Sequence, residues 1–419
     1  LKIMKSILLL ALGTAFALTS AATAASPPPR PVGLEFAVND PGALGRHSGP
    51  KPALFSDGGF VVVWTNVSVI HARFFTEDGS PESGEFRLTE RPEGSSFQEA
   101  EGIVADRDGS FLVSWSELIG AESHVRARRF SRQGAPLGPV VQVDPPGSSG
   151  GASAIALGPR GRFAVAWTLG GPRPATGDYT STLARIFNAD GAPATGAFPI
   201  GYGFAGSIAG DDADTVYLTG LVWGPGGTLT AAFYEDVTPG LNHFYLARFP
   251  SRGGVPSYLN LPESVLCCFE TQSVGRSSRS VALGKAADNN SLIAAWPETA
   301  QREEGLKARR LAADGTHLGA PFTVAKRPSV LQVKPAIATL ADGGFVIVWT
   351  ENGRDGSGDG IFGRAFAADA TPQSRDFRVN VATAGDQGRP AIAAGPTGTV
   401  VVVWESPGYS DVFARLLTP

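Results

Sequence analysis

The run Phe60–Trp64 is hydrophobic at every position instead of at alternate ones, which predicts a β-strand covered on both faces. It belongs to GGFVVVW at 58–64, and the pattern returns as GSFLVSW ending at Trp115, GRFAVAW at Trp167, GTLTAAF at Phe233, NSLIAAW at Trp296, GGFVIVW at Trp349 and GTVVVVW at Trp404. Successive copies lie 51 to 66 residues apart. Each follows a short run of small residues, such as KPALFSD (51–57), KPAIATLAD (334–342) or RPAIAAGPT (389–397), that reads as a strand ending in a Gly-rich turn. Each precedes a run with Arg near its centre: Arg73, Arg128, Arg185, Arg248, Arg309, Arg364 and Arg415. A fourth run, such as EFRLTE (85–90) or DFRVN (376–380), closes most repeats. Seven such units predict an all-β chain folded as a closed seven-bladed β-propeller of four-stranded blades.

The last repeat stops at Pro419, after its Arg-bearing strand, while Glu35–Val38 match the fourth run and precede any first strand. These residues are expected to complete the seventh blade and seal the ring, which removes the large unpaired sheet edge that would invite aggregation. Each blade packs only on its neighbours, so residues 34–419 are expected to form one domain instead of splitting as large single-core chains do. The 53 Gly and 32 Pro make the chain turn-rich without the level of a disordered or collagen-like sequence.

Outside this region, Lys2 and Lys5 precede an apolar stretch from Ile7 to Leu18 and the small-residue run Ala21–Ala25. That order predicts a cleavable export signal over 1–25, a Pro-rich leader over 26–33, and a secreted or periplasmic product. The stretch is too short for a membrane span, and no Cys follows it to carry a lipid. The formal charge of −4 would become more negative once Lys2 and Lys5 are removed, which argues against a nucleic-acid partner. The two cysteines, Cys267 and Cys268, are adjacent, so a bond between them would be strained and reducible; a vicinal disulfide and a buried thiol pair both stay open.

The repeated side chains read first as packing. Trp or Phe at one place per blade fills the wedge between blades, although a ring of sugar-stacking aromatics would give the same sequence. The seven Arg are expected to pair with acids or carbonyls at the blade rim. Asp57, Asp78, Asp190, Asp314 and Asp342 each precede Gly, which turn formation explains.

Function is therefore sought in the departures. If the strands alternate, the loop after the Trp strand and the loop between blades share a face, where acids follow the aromatic position: Glu117, Glu235, Asp236, Glu298, Glu351 and Glu405. The longest blade connections, 201–214 and 262–279, flank the fourth repeat and contribute Asp211, Asp212, Asp214, Cys267, Cys268 and Glu270 as ligand-binding candidates. Asp355, Ser357 and Asp359 before Gly360 match the opening of a Ca²⁺ loop, but its twelfth position is Phe366 where a bidentate Glu belongs, so a Gly/Asp turn competes with calcium binding. No cofactor is otherwise expected. The five His are scattered, and no GxSxG, HExxH or CxxC motif occurs.

The stretch Lys334–Trp349 and the stretch Gly360–Asn380 resemble the repeats of secreted bacterial propellers whose units read PxIAxLxDGGFVVVW followed by an Arg-x-Phe strand, also found inside large RTX-type exoproteins. The resemblance covers residues 33–419 and implies an exported propeller without an activity to carry over. The GGxGxDxUx nonapeptides of RTX calcium rolls are missing from this sequence. The expected function is an exported binding or scaffold protein, monomeric, recognising a protein or carbohydrate on its insertion-bearing face. The alternative is a carbohydrate-active hydrolase or lyase with acids at the channel mouth.

Overall fold

The computed structural model describes residues 29–40, 42, 45–170, 177–205, 215–238, 241–260, 281–286, 291–298, 305–326, 334–406 and 411–418. These residues form seven antiparallel four-stranded sheets, and the innermost strand of each touches that of the next until the seventh meets the first. Blade 1 runs outward through His47–Leu54, Phe60–Asn66, Val69–Phe75 and Phe86–Arg87. Blade 7 runs through Gly388–Ala394, Val400–Glu405 and Val412–Thr418 and is completed by Arg30–Ala37 from the other end of the chain. In that closure Phe36 lies opposite Ala414 and Ala37 opposite Phe413. The closing strand begins at Arg30, inside the segment expected as a leader, and Pro31 is tolerated there because an outermost strand has one edge free of pairing.

Seven apolar clusters fill the seven blade interfaces. Phe60, Val62 and Trp64 pack with Val401, Val403 and Ala414 of blade 7, whereas Val61 and Val63 pack with Phe111, Val113 and Trp115 of blade 2. Alternate residues of one strand thus serve two interfaces, which is why the run is apolar throughout. Trp64, Trp115, Trp167, Phe233, Trp296, Trp349 and Trp404 are all buried, each in the cluster shared with the preceding blade. Their rings are wedge fillers, and the sugar-stacking alternative is excluded by that burial.

In blades 1, 3, 6 and 7 the Arg side chain binds one carbonyl of its own blade and one of the preceding blade, whereas in blade 5 Arg309 lies 3.0 Å from the His317 ring. Arg73 reaches Ser83 O in its own blade at 3.1 Å and Val38 O in blade 7 at 3.1 Å. Arg185 takes Thr195 O and Val143 O, Arg364 takes Ser374 O and Val324 O, and Arg415 takes Gly33 O and Val379 O. Each therefore ties its own blade to the outer strand of the preceding one. Blade 4 differs: the Tyr258 hydroxyl donates to Ile200 O of blade 3 at 3.2 Å, and Arg248 turns to Ala313 O and Asp314 O of blade 5.

A second link recurs where the outer strand ends. Asn39, Asp144 and Asn380 are buried, and their side chains accept the amides of Val412, Val125 and Ile361 at 2.8 to 2.9 Å. On the opposite face, Asp57, Asp78, Asp190, Asp314 and Asp342 each accept the amide two residues ahead, as expected of turn residues. The Gly after each of them holds a left-handed φ between 84° and 90°. Among the described residues, no helix is long and apolar enough to cross a membrane.

Candidate functional site at the channel mouth

The inner strands enter the channel from the face that carries the loops after the Trp strands. At that entrance the strand pairing is irregular in several blades: the register shifts between Ser48 and Lys51, between Ala100 and Gly102, between Gly151 and Ser153, and between Gly388 and Ala391. Such bulges re-aim side chains and sit preferentially beside functional sites. Pairing fixes equivalent positions: Lys51, Gly102, Ala336 and Ala391 all lie opposite the residue just before the Trp. Lys334 and Arg389 therefore occupy the same place in blades 6 and 7, and Lys51 stands two residues further along its strand.

These cations meet acids. The Arg389 guanidinium lies 3.6 Å from the buried Glu405 carboxylate, which also accepts the Gly49 amide of blade 1 at 2.7 Å. Glu99 and Glu101 approach from blade 2, and Ser116 Oγ donates to Glu101 Oε1 at 2.9 Å. Burial, with the charge of Glu99 added, pushes the Glu101 carboxyl up to about 7 against the opposing influence of Lys51. Burial lowers the Lys51 ammonium although Glu101, Glu405 and Glu99 act the other way. Lys334 is lowered too, by burial first and then by Arg389, and it also feels Lys51. Blades 6 and 1 both adjoin blade 7, so Lys334 and Lys51 flank Arg389.

Sequence reasoning placed Glu405 in this group and missed Lys51, Glu99, Glu101, Lys334 and Arg389. The signal was present: KPALFSD opens with Lys51-Pro52, KPAIATLAD with Lys334-Pro335 and RPAIAAGPT with Arg389-Pro390. A charged residue beginning an otherwise small and apolar channel strand has no packing purpose.

The other candidates divide. Glu117 is buried and accepts Gln98 Nε2 at 2.7 Å and Arg126 Nε at 3.2 Å. Glu351 is buried and accepts Trp349 Nε1 at 3.1 Å and Arg354 Nη1 at 2.9 Å. Both carboxylates thus hold strands and loops together. Glu298 ends its strand opposite Gly305, and Glu235 lies in register between Val216 and His243. Asp211, Asp212, Asp214, Cys267, Cys268 and Glu270 fall outside the described residues. Asp355 accepts the Ser357 amide and Asn380 Nδ2, while Asp359 accepts Asn352 Nδ2 and Ser357 Oγ accepts the Gly385 amide. Among the described residues, no three His, Cys, Asp or Glu are grouped so as to hold a metal ion.

No family model matches the chain, and no curated protein sequence matches it. Among solved structures it is similar to a protein of unknown function from Dyadobacter fermentans, with a TM-score of 0.53 and 13% identity over 94% of this chain and 100% of that one. A prolyl endopeptidase aligns at a TM-score of 0.49 and 13% identity, covering 89% of this chain and 47% of its own. A copper-containing fungal alcohol oxidase aligns at 0.46 and 10%, covering 90% and 76%. The first of these agrees with the blade count and topology in defining the chain as a seven-bladed β-propeller. Likeness at this identity is one of fold.

Proposed function

We propose that this propeller is an exported binding or scaffold protein that recognises a protein or carbohydrate ligand on the face bearing the channel mouth. The observation that carries the reading is the convergence of Lys51, Glu99, Glu101, Lys334 and Arg389 on the inner strands of four adjacent blades. Burying charge costs free energy, and blades 3 and 4 place Ala152 and Leu218 where blades 6 and 7 place Lys334 and Arg389. Charges retained against that cost on a concave surface are what a polar ligand requires. Export is supported by the Lys2, Lys5 and Ile7–Leu18 leader, and by the likeness of the repeats to those of secreted bacterial propellers.

One observation favours a second reading, a carbohydrate-active hydrolase or lyase: a carboxyl held near 7, as Glu101 is, suits a general acid. Glycan-array binding by the full chain, with no release of reducing ends from the bound sugars, supports the binding reading. Release of reducing ends that disappears in Glu101→Gln supports the enzyme.

A further inference from the structure

The channel charges are arranged with a polarity. Lys334, Arg389 and Lys51 occupy the consecutive blades 6, 7 and 1, and the acids Glu99 and Glu101 stand on blade 2 beside Lys51. Further cations lie at the far end of the channel: Lys285, on the inner strand of blade 5, is lowered by burial and then by Arg107 of blade 2. Blades 5 and 2 stand three places apart in the ring of seven, so this pair acts across the channel. Cations thus line the axis on blades 5, 6, 7 and 1, with the acids Glu405, Glu99 and Glu101 beside those at the mouth, where low-dielectric walls strengthen the field of each group.

Backbone geometry at Arg389 adds a second, independent observation. Its φ is +52°, in the left-handed region that favours glycine, and Gly49 holds the equivalent place in blade 1 with φ +64°. Ala152 in blade 3 has φ +45°, so the bulge itself demands this conformation. Glycine would satisfy it without penalty, yet blade 7 places a long cation there, with its side chain 40% exposed. Strain of this kind points to a use for the side chain in the channel.

We propose that the mouth binds an acidic saccharide, its carboxylate held by Lys51, Lys334 and Arg389 and its hydroxyls donating to Glu99 and Glu101. The inference rests on the binding reading above and narrows its ligand class. A carboxylate matches the planar donor fork of Arg389 with an ammonium on either side. Carboxylates across the mouth accept sugar hydroxyls, which a bare inorganic anion does not possess.

Isothermal titration of the full chain tests this with uronate trisaccharides (galacturonate, mannuronate and guluronate), their methyl esters, and inorganic phosphate and sulfate. At least one free uronate is expected to bind, its ester to bind about tenfold or more weakly, and Lys334→Ala to lose about tenfold in affinity with an unchanged melting temperature. Arg389→Gly, which relaxes the backbone but leaves the buried Glu405 carboxylate without its cation, is expected to lose affinity. Equal binding of acid and ester, or binding undiminished in both variants, overturns the inference. So does sulfate or phosphate binding as tightly as any uronate. Neutral glycans or a protein ligand binding while uronates stay silent overturns this inference and leaves the binding reading standing; silence toward all of them overturns both.

Discussion

The side-chain carbonyl of Asn39 accepts the buried amide of Val412 at 2.8 Å, joining residues 373 positions apart in the chain. Asn39 Nδ2 also donates to Asp411 Oδ1 at 3.0 Å, so this one residue closes the ring just beyond the last paired residues of the N-terminal strand. Asn39→Ala leaves a buried donor without an acceptor, which costs roughly 1–3 kcal/mol. Removing residues 33–40 strips blade 7 of most of its outer strand and is expected to lower the melting temperature of the whole domain. Unchanged melting of the shortened protein would contradict the closure.

Arg364 and Arg415 test the links between blades. Changing either to Met removes charge-assisted bonds to two carbonyls and is expected to cost about 1–3 kcal/mol in denaturant unfolding. Lys at the same position is expected to restore little, because one ammonium does not reproduce a fork that spans Ser374 O and Val324 O.

Trp349 has no exposed surface and packs against blade 5. Trp349→Ala is expected to cost roughly 3–5 kcal/mol, and Trp349→Phe clearly less, because Phe233 fills the same place in blade 4. Equal losses for the two variants in thermal unfolding would argue against a wedge role.

Two carboxyls set opposite pH limits on stability. Burial alone would raise Glu85, but hydrogen bonds from His71, the Asp40 amide and Asn66 outweigh it and bring its carboxyl down to about 2 from an ordinary 4.5. Its contribution, on the order of 2 kcal/mol once solvent screening of this partly exposed group is allowed for, is present above about pH 4.5 and fades as pH falls toward 2. Glu101 behaves in reverse: its neutral form is favoured in the fold, so stability declines as pH rises from about 4.5 through 7. Glu101→Gln is expected to flatten that decline, measured by urea unfolding at pH 5 and pH 8. An equal drop in the variant and the parent would mean that Glu101 is not the group responsible.

Blade number, strand order and ring closure were legible because Trp64 and its counterparts mark one strand per blade, and because Glu35–Val38 lacked an inner strand of their own. The Arg partners were legible as a type, but not the rule that Arg185 reaches back to Val143, since which blade lies within reach is a matter of three-dimensional stacking. The buried caps Asn39, Asp144 and Asn380 read as ordinary polar residues at strand ends. The channel cluster was hidden for a more specific reason. Lys51 stands two residues further along its strand than Lys334 and Arg389 because KPALFSD is two residues shorter than KPAIATLAD and RPAIAAGPT, so alignment of the small-residue runs suggests equivalence where the pairing does not. Glu101 is concealed in the same way, as the unpaired residue of a bulge that only the register reveals.

The shared seventh blade has a consequence for how the molecule is made. Arg30–Ala37 is translated hundreds of codons before Val412–Thr418, the strand it pairs with. Until that hairpin emerges, the early segment has nowhere to dock, and afterwards the hairpin's outer edge stays open until the segment finds it. Contacts so distant in sequence form slowly, which makes the nearly finished, still gaping ring the species most in need of protection during biogenesis.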